Sequence, residues 1–311
     1  MSNISNKQVI CDTLIEFGKK DHDIVVLVSD SRGSASMTNF AKELPEQLVE
    51  VGIAEQNLVG VAAGLASAGK KPYIASPACF LSMRSIEQVK MDVAYSKNNV
   101  KIIGISGGVS YGALGLSHHS LQDIAYMRTL PGMTVILPAD RIETRKMMEK
   151  LLEYEACAYI RIGRNAVPDV YKSEDYEFEI GKAVTMAEGN DITIIAAGEM
   201  VSVAMSSASE LKKEGISCRV LNMHTIKPID KAAIIKSAEE TGHIITLEEH
   251  SIFGGLGSSV AEIVSQHCPV LMKIFGIPDE PAIAGSSKQV FDYYGLNVDN
   301  VKKSAMQLLK K

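Results

Sequence analysis

Val51-Gly52-Ile53-Ala54-Glu55-Gln56-Asn57-Leu58 opens a stretch that continues Val-Gly-Val-Ala-Ala-Gly-Leu-Ala-Ser-Ala-Gly from Val59 to Gly69. One carboxylate, Glu55, stands at the mouth of a predicted helix over 55–68 made largely of small and apolar residues. Gly and Ala project little, so another backbone can approach such a helix closely. A carboxylate in that setting has limited solvent. It can hold one strong hydrogen bond to a ligand or drive a proton transfer. The plainer account is an acid that favours a helix N-terminus through the dipole, and spacing alone does not separate the two.

Outward from this helix the chain alternates short apolar runs with helical periodicity. Strands are predicted at 24–28, 73–75, 100–105, 135–137 and 158–162, and helices at 6–20, 85–94 and 142–154. Residues 165–180 are polar and irregular around Pro168, which marks a domain boundary. A second alternating pattern follows, with strands at 192–196, 217–221 and 243–247 and helices at 203–214, 231–241 and 257–267. Strands separated by helices argue for βαβ units and mainly parallel sheets in both halves. Ligands of such sheets bind beyond the C-terminal strand ends. The loops after Val28, Ile105, Ala196 and Leu247 are therefore the places to search.

The 311 residues suffice for two ordinary domains. A hydrophobic fraction of 46% with 24 glycines fits a compact α/β protein and excludes disordered or collagen-like chains. The net charge of −5 and the scattered basic residues give no reason to expect nucleic acid. No stretch approaches the ~18 apolar residues of a membrane helix, and the first residues lack a signal-peptide core. The five cysteines contain no CxxC pair, which suggests buried thiols in a reducing, cytoplasmic compartment. The seven histidines show no metal-binding spacing.

Ser106-Gly107-Gly108-Val109-Ser110-Tyr111-Gly112-Ala113-Leu114-Gly115-Leu116-Ser117-His118-His119 follows the third strand. Its glycines permit tight turns and expose backbone donors to an anion or substrate. His118 and His119 are candidates for proton transfer or substrate polarisation, against the alternative of a mobile loop. Arg161 and Arg164, at a strand end, suit a bidentate phosphate contact or a surface salt bridge equally well. Ser34 lies in a loop that offers a hydroxyl to the same phosphate. Phe253-Gly254-Gly255-Leu256-Gly257 is neither GxGxxG nor Walker A, so close helix packing is favoured over nucleotide binding. Met127, Met133, Met147 and Met148 read as core.

The ordered set of motifs resembles the C-terminal portion of transketolases over roughly residues 7–305. It is closest to the small subunits of two-part transketolases. The carriers are Asp30 with Gly33-Ser34, Val51 to Asn57, Arg84 with Glu87-Gln88, Ser117-His118 and Asp123 to Arg128. Val135 to Asp140 and Arg161-Ile162-Gly163-Arg164 complete the set. The resemblance implies an α/β fold of two three-layer αβα domains. These are a thiamine-diphosphate pyrimidine-binding domain over 1–165, a linker over 166–177 and a transketolase C-terminal domain over 178–311, the last expected to serve assembly more than chemistry. It implies that Glu55 hydrogen-bonds the aminopyrimidine ring and promotes its imino form. Phe80 packs against that ring, and Asp30 and Arg84 lie near the cofactor. His118 contacts the sugar, and Ser34 and Arg164 bind its phosphate, with Lys7 near them. The implied reaction moves a two-carbon ketol unit from a ketose phosphate to an aldose.

Two departures from the family pattern bear on substrate and assembly. Leu114 stands where an aspartate recognises ketose hydroxyls, and Ser106 where a phosphate-contacting histidine is usual, so a ketose other than xylulose 5-phosphate is expected. No Gly-Asp-Gly with a following Asn is present, which in the family holds the diphosphate and its metal. The expected partner is a larger N-terminal subunit that carries the diphosphate with Mg2+ or Ca2+, in an α2β2 assembly. The competing readings are the beta subunit of another thiamine enzyme, such as a 2-oxoacid dehydrogenase, and a non-catalytic assembly protein.

Overall fold

The structure, a computed structural model, describes residues 4–310. Its strands in chain order are β1 Ile24–Val28, β2 Leu48–Glu50, β3 Lys71–Pro77, β4 Lys101–Ile105, β5 Thr134–Ile136, β6 Ala158–Arg161, β7 Val184–Ala187, β8 Ile192–Ala196, β9 Cys218–Asn222, β10 Thr225–Lys227, β11 His243–Ser251 and β12 Leu271–Ile277. They form a seven-stranded sheet in the order β10-β5-β6-β4-β3-β1-β2 and a five-stranded sheet in the order β12-β11-β8-β9-β7. Both sheets are parallel except for β10 and β7, which pair antiparallel at an edge.

Every residue of β1, β4 and β6 is buried. Alternate side chains of a strand point to opposite faces, and here both faces are covered. Val25 and Leu27 join one core with Leu58, Ala62 and Ile74. Ile24, Val26 and Val28 join another with Ile10, Leu14 and Phe40. A strand buried on both faces reads as an unbroken apolar run, which is why these segments were legible.

The helices flank these sheets. Asp140 accepts a side-chain bond from the Glu143 amide at the start of helix Arg141–Glu153, and Ser286 forms a capping box with Gln289 before helix Ser287–Tyr294. The helix expected over 85–94 begins as a short α-turn at Ile86–Gln88 and continues as a π-helix over Val89–Tyr95. No helix among the described residues is long and apolar enough to cross a membrane.

The two α/β units are not separate beads. β10 belongs by sequence to the second half, yet it extends the first sheet through β5. One apolar core also runs across both halves, from Leu58 and Ile102 to Leu221, Ile244 and Val260. The irregular segment between the halves is tied down as well. The amides of Val170 and Tyr171 donate to Asp140 Oδ2 at 2.7 and 3.0 Å, and Tyr171 stacks on Tyr176.

Candidate active site

Glu55 is the first residue of helix Glu55–Ser67, and no side chain caps that helix end. The carboxylate is only 5% exposed. Its partner is Arg84, at the end of helix Ala78–Arg84, whose Nη1 donates to both carboxylate oxygens at 3.0 Å. Leu58, Val59, Ala62 and Ala63 fix the helix to the sheet. Gln56, Asn57, Gly60 and Gly64 face outward, and a Cβ added at either glycine would meet nothing within 4 Å.

From Glu55 the contacts run onward without a break. The Arg84 guanidinium lies 4.1 Å from the centre of the Phe80 ring, a cation–π distance. Phe80 meets His118 edge to face at 5.2 Å, and His118 meets Tyr111 in the same way at 5.1 Å. The Arg164 guanidinium then lies 5.0 Å from the Tyr111 ring centre. Ser117 Oγ holds His118 Nδ1 at 3.0 Å, which fixes the ring's rotation. One line of side chains therefore links a buried acid to a cationic end.

At that cationic end, Lys7 Nζ donates to the Ser34 carbonyl at 3.1 Å, and Ser34 Oγ donates to the Ser31 carbonyl at 3.0 Å. Burial, and secondly the charge on Arg164, push the Lys7 ammonium below its ordinary range. Two neighbouring cations form a natural seat for an anion. Tyr111 is shifted up by burial, with the Ser106 hydroxyl and Arg164 acting against that shift.

The structure thus brings together Glu55, Arg84, Phe80, His118, Arg164 and Ser34. Leu114 is 55% exposed on the helical turn Gly112–Ser117 that leads to His118. Asp30 lies outside the run of contacts. It is exposed, its backbone is left-handed at φ 52°, and its N–H donates to Glu50 Oε1 at 2.7 Å.

Two sequence expectations need correction. His119 is buried, with Nε2 3.2 Å from the Gly112 carbonyl, and burial lowers its pKa; it braces the loop from beneath. Arg161 is committed internally: Nε pairs with Asp123 Oδ2 at 3.1 Å, and Nη2 donates to the Glu249 carbonyl at 2.6 Å. Ser106, read as a departure from the family's phosphate-contacting histidine, is fully buried. Tyr111 is the site residue that sequence reasoning missed. Its one signal is an aromatic ring amid glycines two residues after Val109.

The glycine pair near helix Leu256–His267 has its own internal anion. Glu248 accepts from the amides of Leu256 and Gly257, both at 2.7 Å, and so occupies that helix N-terminus. Met127, Met133, Met147 and Met148 are core residues. Cys11, Cys79, Cys157 and Cys218 are buried free thiols, and Cys268 is half-buried. Among the described residues no group of three or more His, Cys, Asp or Glu is arranged to hold a metal.

Comparison with known proteins agrees with this geometry. Residues 2–169 match the family model for the transketolase pyrimidine-binding domain, and residues 181–301 match that for the transketolase C-terminal domain. The chain is 53% identical to one of the subunits of the apulose-4-phosphate transketolase of Phocaeicola vulgatus, over 99% of this chain and 100% of that one. It is 38% identical to a 6-deoxy-6-sulfo-D-fructose transketolase subunit of a Clostridium species, over 96% of this chain and 93% of that one. A solved structure described as a split-gene transketolase, inactive beta4 tetramer, superposes with a TM-score of 0.91 at 39% identity over 99% of both chains. With two family models covering both α/β units and full-length subunits as relatives, the chain belongs to the transketolase family, as a C-terminal subunit of the split-gene kind.

Proposed function

We propose that this chain supplies the pyrimidine-binding and sugar-binding half of a two-part transketolase that acts on a ketose phosphate such as apulose 4-phosphate. The observation that carries the reading is the unbroken line Glu55–Arg84–Phe80–His118–Tyr111–Arg164. It sets a buried acid and an aromatic face at one end and an anion seat at the other.

The residues fit thiamine diphosphate. Glu55 is a buried acceptor with a single side-chain partner, and Phe80 offers a half-buried ring beside it. The cofactor, when bound, supplies the electron sink for carbon–carbon cleavage. Glu55 would orient the aminopyrimidine and hold a proton at its ring nitrogen. His118 would hydrogen-bond the sugar near its carbonyl, and Ser34, Lys7 and Arg164 would bind its phosphate and fix register.

Leu114, on the turn that leads to His118, has no hydrogen-bonding side-chain group, which supports a donor other than xylulose 5-phosphate. The names of the two relatives point the same way, since each specifies a different ketose. The diphosphate and a divalent metal, Mg2+ or Ca2+, fall to a larger partner subunit in an α2β2 assembly. Two findings support that division: the Phocaeicola relative is named as a subunit of its enzyme, and the beta4 tetramer is inactive. We divide the chain into a pyrimidine-binding domain over 1–165, a linker over 166–177 and a C-terminal domain over 178–311.

The test is native mass analysis of the complex captured from its source cells, followed by donor screening with that complex. A larger subunit, retained thiamine diphosphate and two-carbon transfer from a ketose phosphate are expected. Release of carbon dioxide from a 2-oxoacid would move the chain to the dehydrogenase reading. Absence of cofactor-dependent turnover with any partner would leave an assembly role.

A further inference from the structure

The glycine-rich loop between β4 and His118 exposes a backbone donor to an anion, but that anion belongs to the protein. Glu249, near the end of β11 in the second half, accepts the Val109 N–H through Oε1 at 2.8 Å. Glu249 is 5% exposed. Gly108, at φ +62°, is where the loop passes over it, and a Cβ there would overlap the Glu249 carboxyl carbon. A Cβ at Gly107 would likewise overlap Arg161. These two glycines let a buried ion network cross directly beneath the loop.

The network is continuous. Arg161 Nη2 donates to the Glu249 carbonyl at 2.6 Å, and Arg161 Nε pairs with Asp123 Oδ2 at 3.1 Å. That same Oδ2 accepts from Tyr159 at 2.6 Å. The second half holds the loop at further points. The Ser251 amide donates to the Leu121 carbonyl at 3.0 Å and the Gly285 amide to the Gly112 carbonyl at 3.4 Å. Tyr111 and His118 lie between these anchors.

We propose that Glu249 is a positioning residue for sugar handling: through Val109 it fixes the backbone that presents Tyr111 and His118. The C-terminal half then sets substrate geometry as well as assembly. This rests on the transketolase reading for the word sugar, and on the geometry alone for the loop. The bond is made to a buried carboxyl group, so its loss frees the loop and leaves the Val109 N–H without a partner. Burial pushes Glu249 above the ordinary carboxylate range, with Arg161 and the Val109 amide opposing that shift.

The experiment compares Glu249→Ala and Glu249→Gln in the complex captured from source cells. It measures amide hydrogen exchange over residues 107–120, donor KM and kcat, and thiamine diphosphate affinity. Glu249→Ala should speed exchange in that loop and raise donor KM about tenfold, while cofactor affinity stays within about twofold. Glu249→Gln should recover most of both effects, because its amide oxygen still accepts from Val109. Unchanged loop exchange in Glu249→Ala overturns the proposal whatever the turnover. So does an equal loss of cofactor affinity and sugar turnover in both variants. If the unmodified complex transfers no ketol unit, the transketolase reading falls, and loop exchange alone decides the role of Glu249.

Discussion

Arg84 Nη1 lies 3.0 Å from both carboxylate oxygens of Glu55, so one exposed guanidinium holds a nearly buried acid in a single orientation. A carboxylate has more lone pairs than one N–H group can use. Glu55 therefore keeps acceptor capacity for a ring donor while its rotamer stays fixed. Arg84 also covers Phe80, so the acid and the aromatic face are ordered by the same side chain.

Glu55→Gln keeps this shape and removes the charge. Turnover of the assembled enzyme is expected to fall by about a hundredfold or more, with the melting temperature nearly unchanged. Initial rates beside a thermal melt decide it, and normal rates would end the proton-transfer role of Glu55.

Leu114→Asp places a hydrogen-bonding group on the exposed turn that leads to His118, where it costs the fold little. Preference should move toward xylulose 5-phosphate, with the ratio of kcat/KM values between that sugar and the native donor changing about tenfold. Competition assays with both ketoses read this directly; an unaltered ratio removes Leu114 from donor selection.

Gly60→Leu probes the open face of helix Glu55–Ser67. A Cβ there meets nothing within 4 Å beyond its own helix backbone, and replacing Gly in a helix interior favours the fold by roughly 0.5–1 kcal/mol. The chain alone should melt at the same or a higher temperature. Assembly should be lost if that face packs against another subunit, and sedimentation of variant and parent at equal concentration shows which.

Glu143 gives a dependence on pH. It accepts from Asn222 Nδ2, from the Tyr171 hydroxyl at 2.9 Å and from the Ala139 amide at 2.6 Å. Burial is the largest cause acting on it, and it is raised from 4.5 to about 7. A carboxyl whose folded pKa is raised stabilises the fold fully below 4.5 and loses that contribution as pH rises through about 7. Within the window the slope is at most about 1.4 kcal/mol per pH unit. Denaturant melts from acid to neutral pH should show stability declining, and Glu143→Gln should flatten part of that decline. An identical slope in the variant would show that other groups set it.

The α/β pattern was legible because doubly buried strands are unbroken apolar runs bounded by polar turns, as at Ile24–Val28 and Ile192–Ala196. β2, β7, β10 and β12 were not expected. β10 is three residues long, and its partner lies in the other half, so no local periodicity marks it. β11 runs on to Ser251 past the expected end at Leu247 and takes in two acids, Glu248 and Glu249. Each is buried against backbone amides that only the folded chain brings near. Glu55 was conspicuous through its neighbours' small size, whereas Tyr111 became visible only once His118 and Arg164 stood on either side of it.

The pairing of β10 with β5 limits how this gene can be divided. A chain cut in the segment after Arg164 would leave the first half with β5 as a bare sheet edge and its share of a common core open to water. Expressed alone, that half should recruit foreign strands and precipitate, while co-expression of both pieces should restore a soluble product. Any division of this chain must therefore keep β10 in the same polypeptide as the sheet it extends.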